Sequence, residues 1–414
     1  MSPPSKEPGL PDGWRSLPLR DVASEKIVYG IVQAGPHDPN GVPYLKSSDV
    51  GGRIAPEGLQ RTSLAIHAKF GRSKVVPGNI VISLRGNTGA TSVVPPDLRE
   101  ANLTQGTARI AVSKEHSSEF VRQQIAGAST QRLINAATKG STFVEITLDD
   151  LRKVEILCPP LHEQRRIADI LSTWDEAIET VEALVANARE QKRALMQTLL
   201  TGHTRLPGFA DDWSWTKFSD AFNRVRDKND VGDTNVLTIS AQHGLVSQTD
   251  YFNKVVASDD VRGYTLLRLG DFAYNKSYSD GYPLGAFKPL ERYDRGIVSS
   301  LYICFRLASA NYDHDFMRHY FEAGMFNREV AAIAQEGARN HGLLNVSVVD
   351  FFDTSLHTPG RDEQVAIAAV INNAERAEQM LINQCDALRK EKASLMQQLL
   401  TGKRRVELTE GEAA

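Results

Sequence analysis

The residues able to do chemistry are few and scattered, and their types suit recognition better than bond making. No G-x-x-x-x-G-K-[ST] phosphate loop, no G-x-S-x-G nucleophile turn and no H-E-x-x-H metal pair occurs in the 414 residues. The one stretch near an Asn-Pro-Pro-Tyr base-methylating signature is Cys158-Pro159-Pro160-Leu161. It lacks the amide that would hold a target amino group and the aromatic that would stack on the base, and it reads better as a helix start. Asp97 and Glu100 resemble a nuclease carboxylate pair only loosely, because no lysine follows at the needed spacing. Cys158, Cys304 and Cys385 lie far apart with no CxxC, so zinc-ligand spacing is absent and the expectation is three buried, inert thiols.

The polar loops carry a different chemistry. Arg85, Asn87 and Thr88 sit among Gly86 and Gly89, which let a backbone approach a partner closely. Thr104 and Gln105 occupy an adjoining turn, Lys46 and Ser47 follow a predicted strand, and Lys139 and Ser141 flank Gly140 in another turn. Later in the chain Asn275, Lys276, Ser277 and Tyr278 fill a loop of the same kind, with Arg339, Asn340 and His341 beyond it. Arginine matches guanine edges in the major groove and asparagine or glutamine matches adenine. Lysine, serine and threonine commonly hold phosphates. These sixteen residues are the nucleic-acid-binding candidates; each is also an ordinary solvated turn residue. Gly86-Asn87-Thr88-Gly89 taken alone is a weak match to a GxxG nucleic-acid clamp.

The elements that must position these loops come from a repeat. Pro159-Pro160-Leu161-His162-Glu163-Gln164-Arg165-Arg166-Ile167-Ala168 returns as Pro359-Gly360-Arg361-Asp362-Glu363-Gln364-Val365-Ala366-Ile367-Ala368. Leu195-Met196-Gln197-Thr198-Leu199-Leu200-Thr201-Gly202 returns at 395–402, so both landmarks repeat 200 residues on. Each copy predicts a helix of about 40 residues, roughly 60 Å at 1.5 Å per residue. Ile167, Leu171, Trp174, Ile178, Val181, Val185, Ala188, Leu195 and Leu199 step by fours and threes once the slot at Lys192 is counted, the spacing of a coiled-coil seam. The second seam holds Ile367, Ile371, Leu381, Leu388, Leu395 and Leu399. Lys192 and Lys392 interrupt the two seams at the same slot, and Glu378 weakens the second. A polar residue in a seam can fix register. Thr-Gly after each helix supplies a left-handed cap.

The globular stretches share an order of elements but little sequence. Tryptophan openers stand at Gly13-Trp14 and Asp212-Trp213. Strands are expected after Pro77-Gly78-Asn79 and Leu269-Gly270-Asp271, then over 107–112 and 301–307. Single amphipathic helices are expected over 120–137 and 316–334. The predicted fold class is α+β: mixed domains at 1–158 and 205–356, long helices at 159–204 and 357–404 pairing antiparallel in a pseudo-twofold coiled coil, and a disordered tail at 405–414. Residues 1–12 are also expected to be disordered. Charged residues make up 24% and hydrophobic ones 41%, with a net charge of −3, so any nucleic-acid binding must rest on local patches. No run approaches a membrane span, and the N-terminus lacks the apolar core of a signal peptide.

With those motifs in place, the chain resembles the specificity subunit of a Type I restriction–modification enzyme over nearly its whole length. Pro-Gly-Arg-Asp at 359–362 departs from the usual Pro-Pro-Leu-x and bears on where the second helix starts. The resemblance implies two target recognition domains, each reading one half of a bipartite asymmetric DNA site. It implies helices that set the gap and dock two modification (methyltransferase) subunits, to which a restriction (motor–nuclease) subunit adds. It also implies a cytoplasmic chain with no catalytic residue, metal or cofactor of its own. S-adenosylmethionine belongs to the partner methyltransferase, and ATP and magnesium to the motor–nuclease. Two other readings stay open on the sequence: a coiled-coil adaptor binding proteins, suggested by the acidic balance, and a self-contained nuclease, suggested only by Asp97 and Glu100.

Overall fold

The computed structural model describes residues 9–31, 33–140, 144–240, 243–252, 260–278, 281–334 and 344–407. The fold is α+β, and the chain divides into two compact units, Met1–Glu182 with Asn383–Ala414, and Ala183–Ile382.

In the first unit a four-stranded sheet runs in the order Val28–Tyr29, Thr107–Ile110, Ile80–Ser83, Thr91–Val93. A second sheet orders Arg61–Thr62, Val42–Leu45, Ala101–Leu103 and Lys74–Val75, with Val42–Leu45 parallel to Ala101–Leu103. Ile80, Val81 and Ile82 are all fully buried, which explains why this β-branched run shows no alternation. In the second unit the main sheet orders Phe222–Arg224, Ile303–Leu307, Phe272–Asn275 and Ala286–Pro289. Its core is aromatic: Phe218, Phe222, Phe272, Phe305, Phe316, Phe326 and Phe351 are each at most 1% exposed.

Neither predicted amphipathic helix is continuous. The first breaks at Gly127 into Ser118–Ala126 and Ala128–Ala137. Gly127 takes an extended ψ of 143°, and a Cβ there would stand 3.1 Å from Leu400 Cδ1. The second breaks into His314–Glu322 and Asn327–Ile333 around Gly324, whose φ of +73° is the left-handed region that glycine tolerates. The strands expected over 107–112 and 301–307 are shorter, Thr107–Ile110 and Ile303–Leu307.

The long helices are Leu161–Leu199 and Arg361–Leu399, 39 residues each. The Pro-Gly-Arg-Asp departure therefore does not shift the second start relative to the first. The N-terminal half of one helix and the C-terminal half of the other pair antiparallel inside each unit. In the first unit Ile167 and Leu171 share a core with Leu395, Met396 and Leu399. In the second, Ile367 and Ile371 share one with Leu195, Met196 and Leu199. Val181 and Cys385 are buried in their seams, while Trp174, Ile178, Leu381 and Leu388 are half-buried.

The polar seam residues are all partnered. Lys392 meets Asp175, which also accepts from Gln123 Nε2 at 2.8 Å and Arg122 Nη2 at 2.9 Å. Lys192 Nζ meets Glu378 Oε2 at 2.5 Å, and Arg189 Nε donates to the other oxygen at 2.9 Å. Glu378, the residue that makes the apolar pattern of the second seam weaker, is thus the acceptor that partners Lys192. Burial works to raise the Asp175 pKa, but the bonds from Lys392 and Gln123 outweigh it and hold the carboxyl below its ordinary range. A lowered folded-state pKa gives stability that is present above the unfolded value and lost as pH falls through the lowered one.

Each long helix is riveted at its start. Glu163, 1% exposed, accepts from Arg405 Nε and Nη2 at 2.7 Å each. Glu363, 3% exposed, accepts from Arg205 Nε at 2.6 Å and Nη2 at 2.7 Å. Gln164 Oε1 accepts from Ser117 N at 3.0 Å while its Nε2 donates to Pro159 O at 2.8 Å. Gln364 repeats this with Asp313 N and Pro359 O, both at 2.9 Å. The Thr-Gly ends are left-handed, Gly202 at φ +72° and Gly402 at φ +70°. A Cβ on Gly202 would stand 3.2 Å from the Trp213 ring, and one on Gly402 would stand 3.4 Å from that of Trp14. The tryptophan openers thus cover the helix ends.

Candidate nucleic-acid interface

In the first unit the strand Ile80–Ser83 delivers its chain into the Arg85 loop beside the turn at 104–106. With the Gln105 amide set to satisfy both its ends, its oxygen accepts from Arg85 Nη1 at 3.1 Å. Ser47 Oγ donates to Gly106 O at 3.0 Å, and a Cβ on Gly106 would sit 2.9 Å from Ser47 Oγ and 3.2 Å from Arg85 Nε. Ser47, Arg85 and Gln105 are therefore brought together around a glycine that admits no side chain. Thr104 joins them through its backbone, its N–H donating to Leu45 O at 3.1 Å.

A cavity of about 490 Å³ opens beside Arg85 and Gln105, lined also by Tyr29, Glu145 and Arg152. Arg152 is fixed by Ile27 O at 2.5 Å and Asp149 Oδ1 at 2.7 Å. Tyr29 is 39% exposed, with the Arg72 guanidinium 5.6 Å from its ring centre. Tyr29 and Arg152 escaped the sequence reading because neither has a local glycine or polar cluster; only tertiary pairing brings them to Arg85.

Other candidates are partly committed to the fold. Thr88 Oγ1 donates to Val144 O at 3.1 Å and Asn87 Nδ2 to Val50 O at 3.3 Å. Gly86 and Gly89 both have left-handed φ, +76° and +85°, and Gln131 Nε2 donates to Gly89 O at 3.0 Å. This loop is a tied turn whose polar side chains partly point inward. Lys46 N donates to Asp49 Oδ2 at 2.8 Å, so that turn is likewise braced. Lys139 is exposed on the surface with its Nζ 3.2 Å from Asp150.

In the second unit Asn275 ends the strand Phe272–Asn275 and its Oδ1 accepts from Ser277 N at 3.1 Å. Lys276 O accepts from Leu344 N at 2.9 Å, and Tyr278 is 64% exposed. Ser141, Arg339, Asn340 and His341 lie outside the described residues. What the arrangement offers chemically is a set of donors held on short loops, with an exposed aromatic in each unit. Cys158, Cys304 and Cys385 are free and buried. Among the described residues no group of three or more His, Cys, Asp or Glu could hold a metal ion. Among them, too, no helix is long and apolar enough to cross a membrane.

Comparison with known proteins gives one consistent result. Residues 11–187 match the family described as Type I restriction modification DNA specificity domain. The EcoBI specificity subunit of Escherichia coli is 23% identical over 195 residues, 46% of this chain and 41% of that one. The match therefore spans under half of that relative. The MjaVIII specificity subunit of Methanocaldococcus jannaschii is 22% identical over 301 residues, 67% of this chain and 68% of its own. The crystal structure of a Type I restriction–modification S subunit from M. genitalium aligns with a TM-score of 0.56, covering 99% of this chain and all of that one at 13% identity. A chain from a structure of a type I R-M system, solved for its assembly and conformational transition, aligns at 0.54 with 16% identity, covering 97% of this chain and 100% of its own.

Proposed function

We propose that this chain, whose residues 11–187 match the family described as Type I restriction modification DNA specificity domain, is the sequence-reading subunit of a Type I restriction–modification complex. Each mixed domain reads one half of a bipartite, asymmetric double-stranded DNA site. The long helices set the gap and dock two methyltransferase subunits, to which a motor–nuclease subunit adds. The chain itself makes and breaks no bond and works in the cytoplasm. S-adenosylmethionine is held by the methyltransferase, ATP and magnesium by the motor–nuclease. Two weak half-site contacts on one chain combine through effective concentration into a strong one. Partner subunits supply phosphate contacts that a chain of net charge −3 does not supply globally.

The observation that carries this reading is the contrast between its parts. The helix starts are held by the same side chains in both units, Glu163 with Arg405 and Glu363 with Arg205. The polar loops differ, Arg85 with Gln105 in one and Asn275 to Tyr278 in the other. A common frame bearing unlike surfaces suits two identical partners and two different half-sites.

Replacing residues 205–356 by the corresponding domain of a relative tests it. Sequencing the methylated bases of cells carrying the chimera and its partners should show one half of the motif changed and the other kept. A motif wholly unchanged in an active complex would overturn the reading. The gap gives a second test. Four residues added within 185–195 lengthen a helix by roughly 6 Å. The methylated motif should then gain about one or two base pairs between its halves, at about 3.4 Å per step. An unchanged gap in an active enzyme would show that the helices do not measure DNA.

A further inference from the structure

A cleft of about 610 Å³ in the second unit lies between the long helix at 192–197, residues 243–244, the end of the strand Ala286–Pro289 with the turn after it at 291–292, and the helix His314–Glu322. Its charged side chains have opposite partners except at two points. Lys288 Nζ meets Glu322 Oε2 at 2.5 Å. Arg318 meets Glu375 at 3.0 Å and Glu291 at 3.4 Å. Lys192 is taken up by Glu378 at 2.5 Å. Each glutamate lining the cleft thus faces a cation already. Arg193 and Arg292 line the same cleft, are exposed, and have no acidic partner among the described residues.

We propose that this cleft is a clamp for a phosphodiester of double-stranded DNA, gripped by Arg193 from the helix and Arg292 from the turn. This rests on the DNA-reading function proposed above. With Arg318 shared by two glutamates, the cleft and its paired Glu378 carry a local surplus of one cation, in a chain whose net charge is −3. Guanidinium groups match phosphate oxygens in a bidentate fork, and an exposed pair spends little on desolvation. Lys192, held by Glu378, fixes the helix at the adjoining residue so that Arg193 starts from a set position. Neither arginine lies on the loops that carry the base-reading candidates, so the clamp adds affinity without adding sequence choice. It is also one-sided. The position 200 residues after Arg193 is Ala393, and the second long helix has no matching arginine.

The test uses the full chain assembled with its methyltransferase partner and measures binding to a duplex carrying the methylated motif and to an unrelated duplex. The double variant Arg193→Ala with Arg292→Ala should weaken both complexes on the order of tenfold at 0.15 M salt. The slope of log affinity against log salt should become shallower by about 2, one for each lost phosphate contact. The methylated motif should stay the same, and Arg193→Lys with Arg292→Lys should restore most of the slope. An unaltered slope and affinity in the folded variant would overturn the clamp while leaving the reading function in place. So would loss of assembly with the methyltransferase at unchanged DNA affinity, which would make the occupant an acidic protein surface. Failure of the wild-type complex to prefer any duplex would instead overturn the reading function itself.

Discussion

Phe218→Ala lowers the stability of the second unit by about 3–5 kcal/mol, the usual range for removing a fully buried phenylalanine. Phe218 is 0% exposed and touches six other rings, with Phe222, Phe351 and Phe305 nearest at 4.7, 4.9 and 5.1 Å. The loss has two parts, the transfer energy of the ring and a cavity whose walls are other rings that cannot fold into it. For a unit of this size a kcal/mol moves the midpoint by roughly 2–4 °C. Calorimetry of the full chain should show the transition belonging to residues 183–382 lowered by roughly 6–20 °C. A cost below about 1 kcal/mol would show that the aromatic cluster repacks freely, contrary to the close centroid spacings.

Arg405→Ala gives the second large effect, and it acts through the partner left behind. Glu163 is 1% exposed and takes both its guanidinium bonds from Arg405. Removing one member of such a pair leaves an uncompensated buried carboxylate, at a cost of about 3 kcal/mol. The control is Arg389→Ala. Arg389 and Glu182 are 54% and 47% exposed, and a pair so hydrated is worth about 0.5 kcal/mol or less. Denaturant unfolding of the two variants should differ several-fold in ΔΔG. Equal small losses would show that Glu163 is reached by water once the arginine is gone.

Much of the frame was legible because it is written twice. Apolar spacing alone placed Ile167, Leu171, Ile367 and Ile371 in seams, and all four are buried. Glu163 and Gln164 recur as Glu363 and Gln364, and their partners Arg205 and Arg405 stand at the same offset, so the rivets too were present in the pattern. What they touch was not legible, since the Arg405 and Glu163 contact joins residues 242 apart in sequence. The break at Gly127 was missed because a lone glycine is tolerated within an amphipathic pattern; the side chain that crowds it, Leu400, comes from the far end of the chain. The loops were harder still. Thr88 and Asn87 have the same types whether they face a nucleic acid or their own backbone, and the hydrogen bonds to Val144 and Val50 are tertiary facts.

The three thiols occupy three separate places. Cys158 lies in the main core of the first unit, Cys304 in a smaller core of the second, and Cys385 in a helix seam. Burial pushes Cys158 and Cys304 up to about 12, so neither supplies a thiolate at neutral pH while its surroundings stay closed. Alkylation is therefore gated by local opening. The order in which the three sulfurs are labelled as denaturant rises is a natural clock, reporting which compartment of the molecule loosens first without any engineered probe.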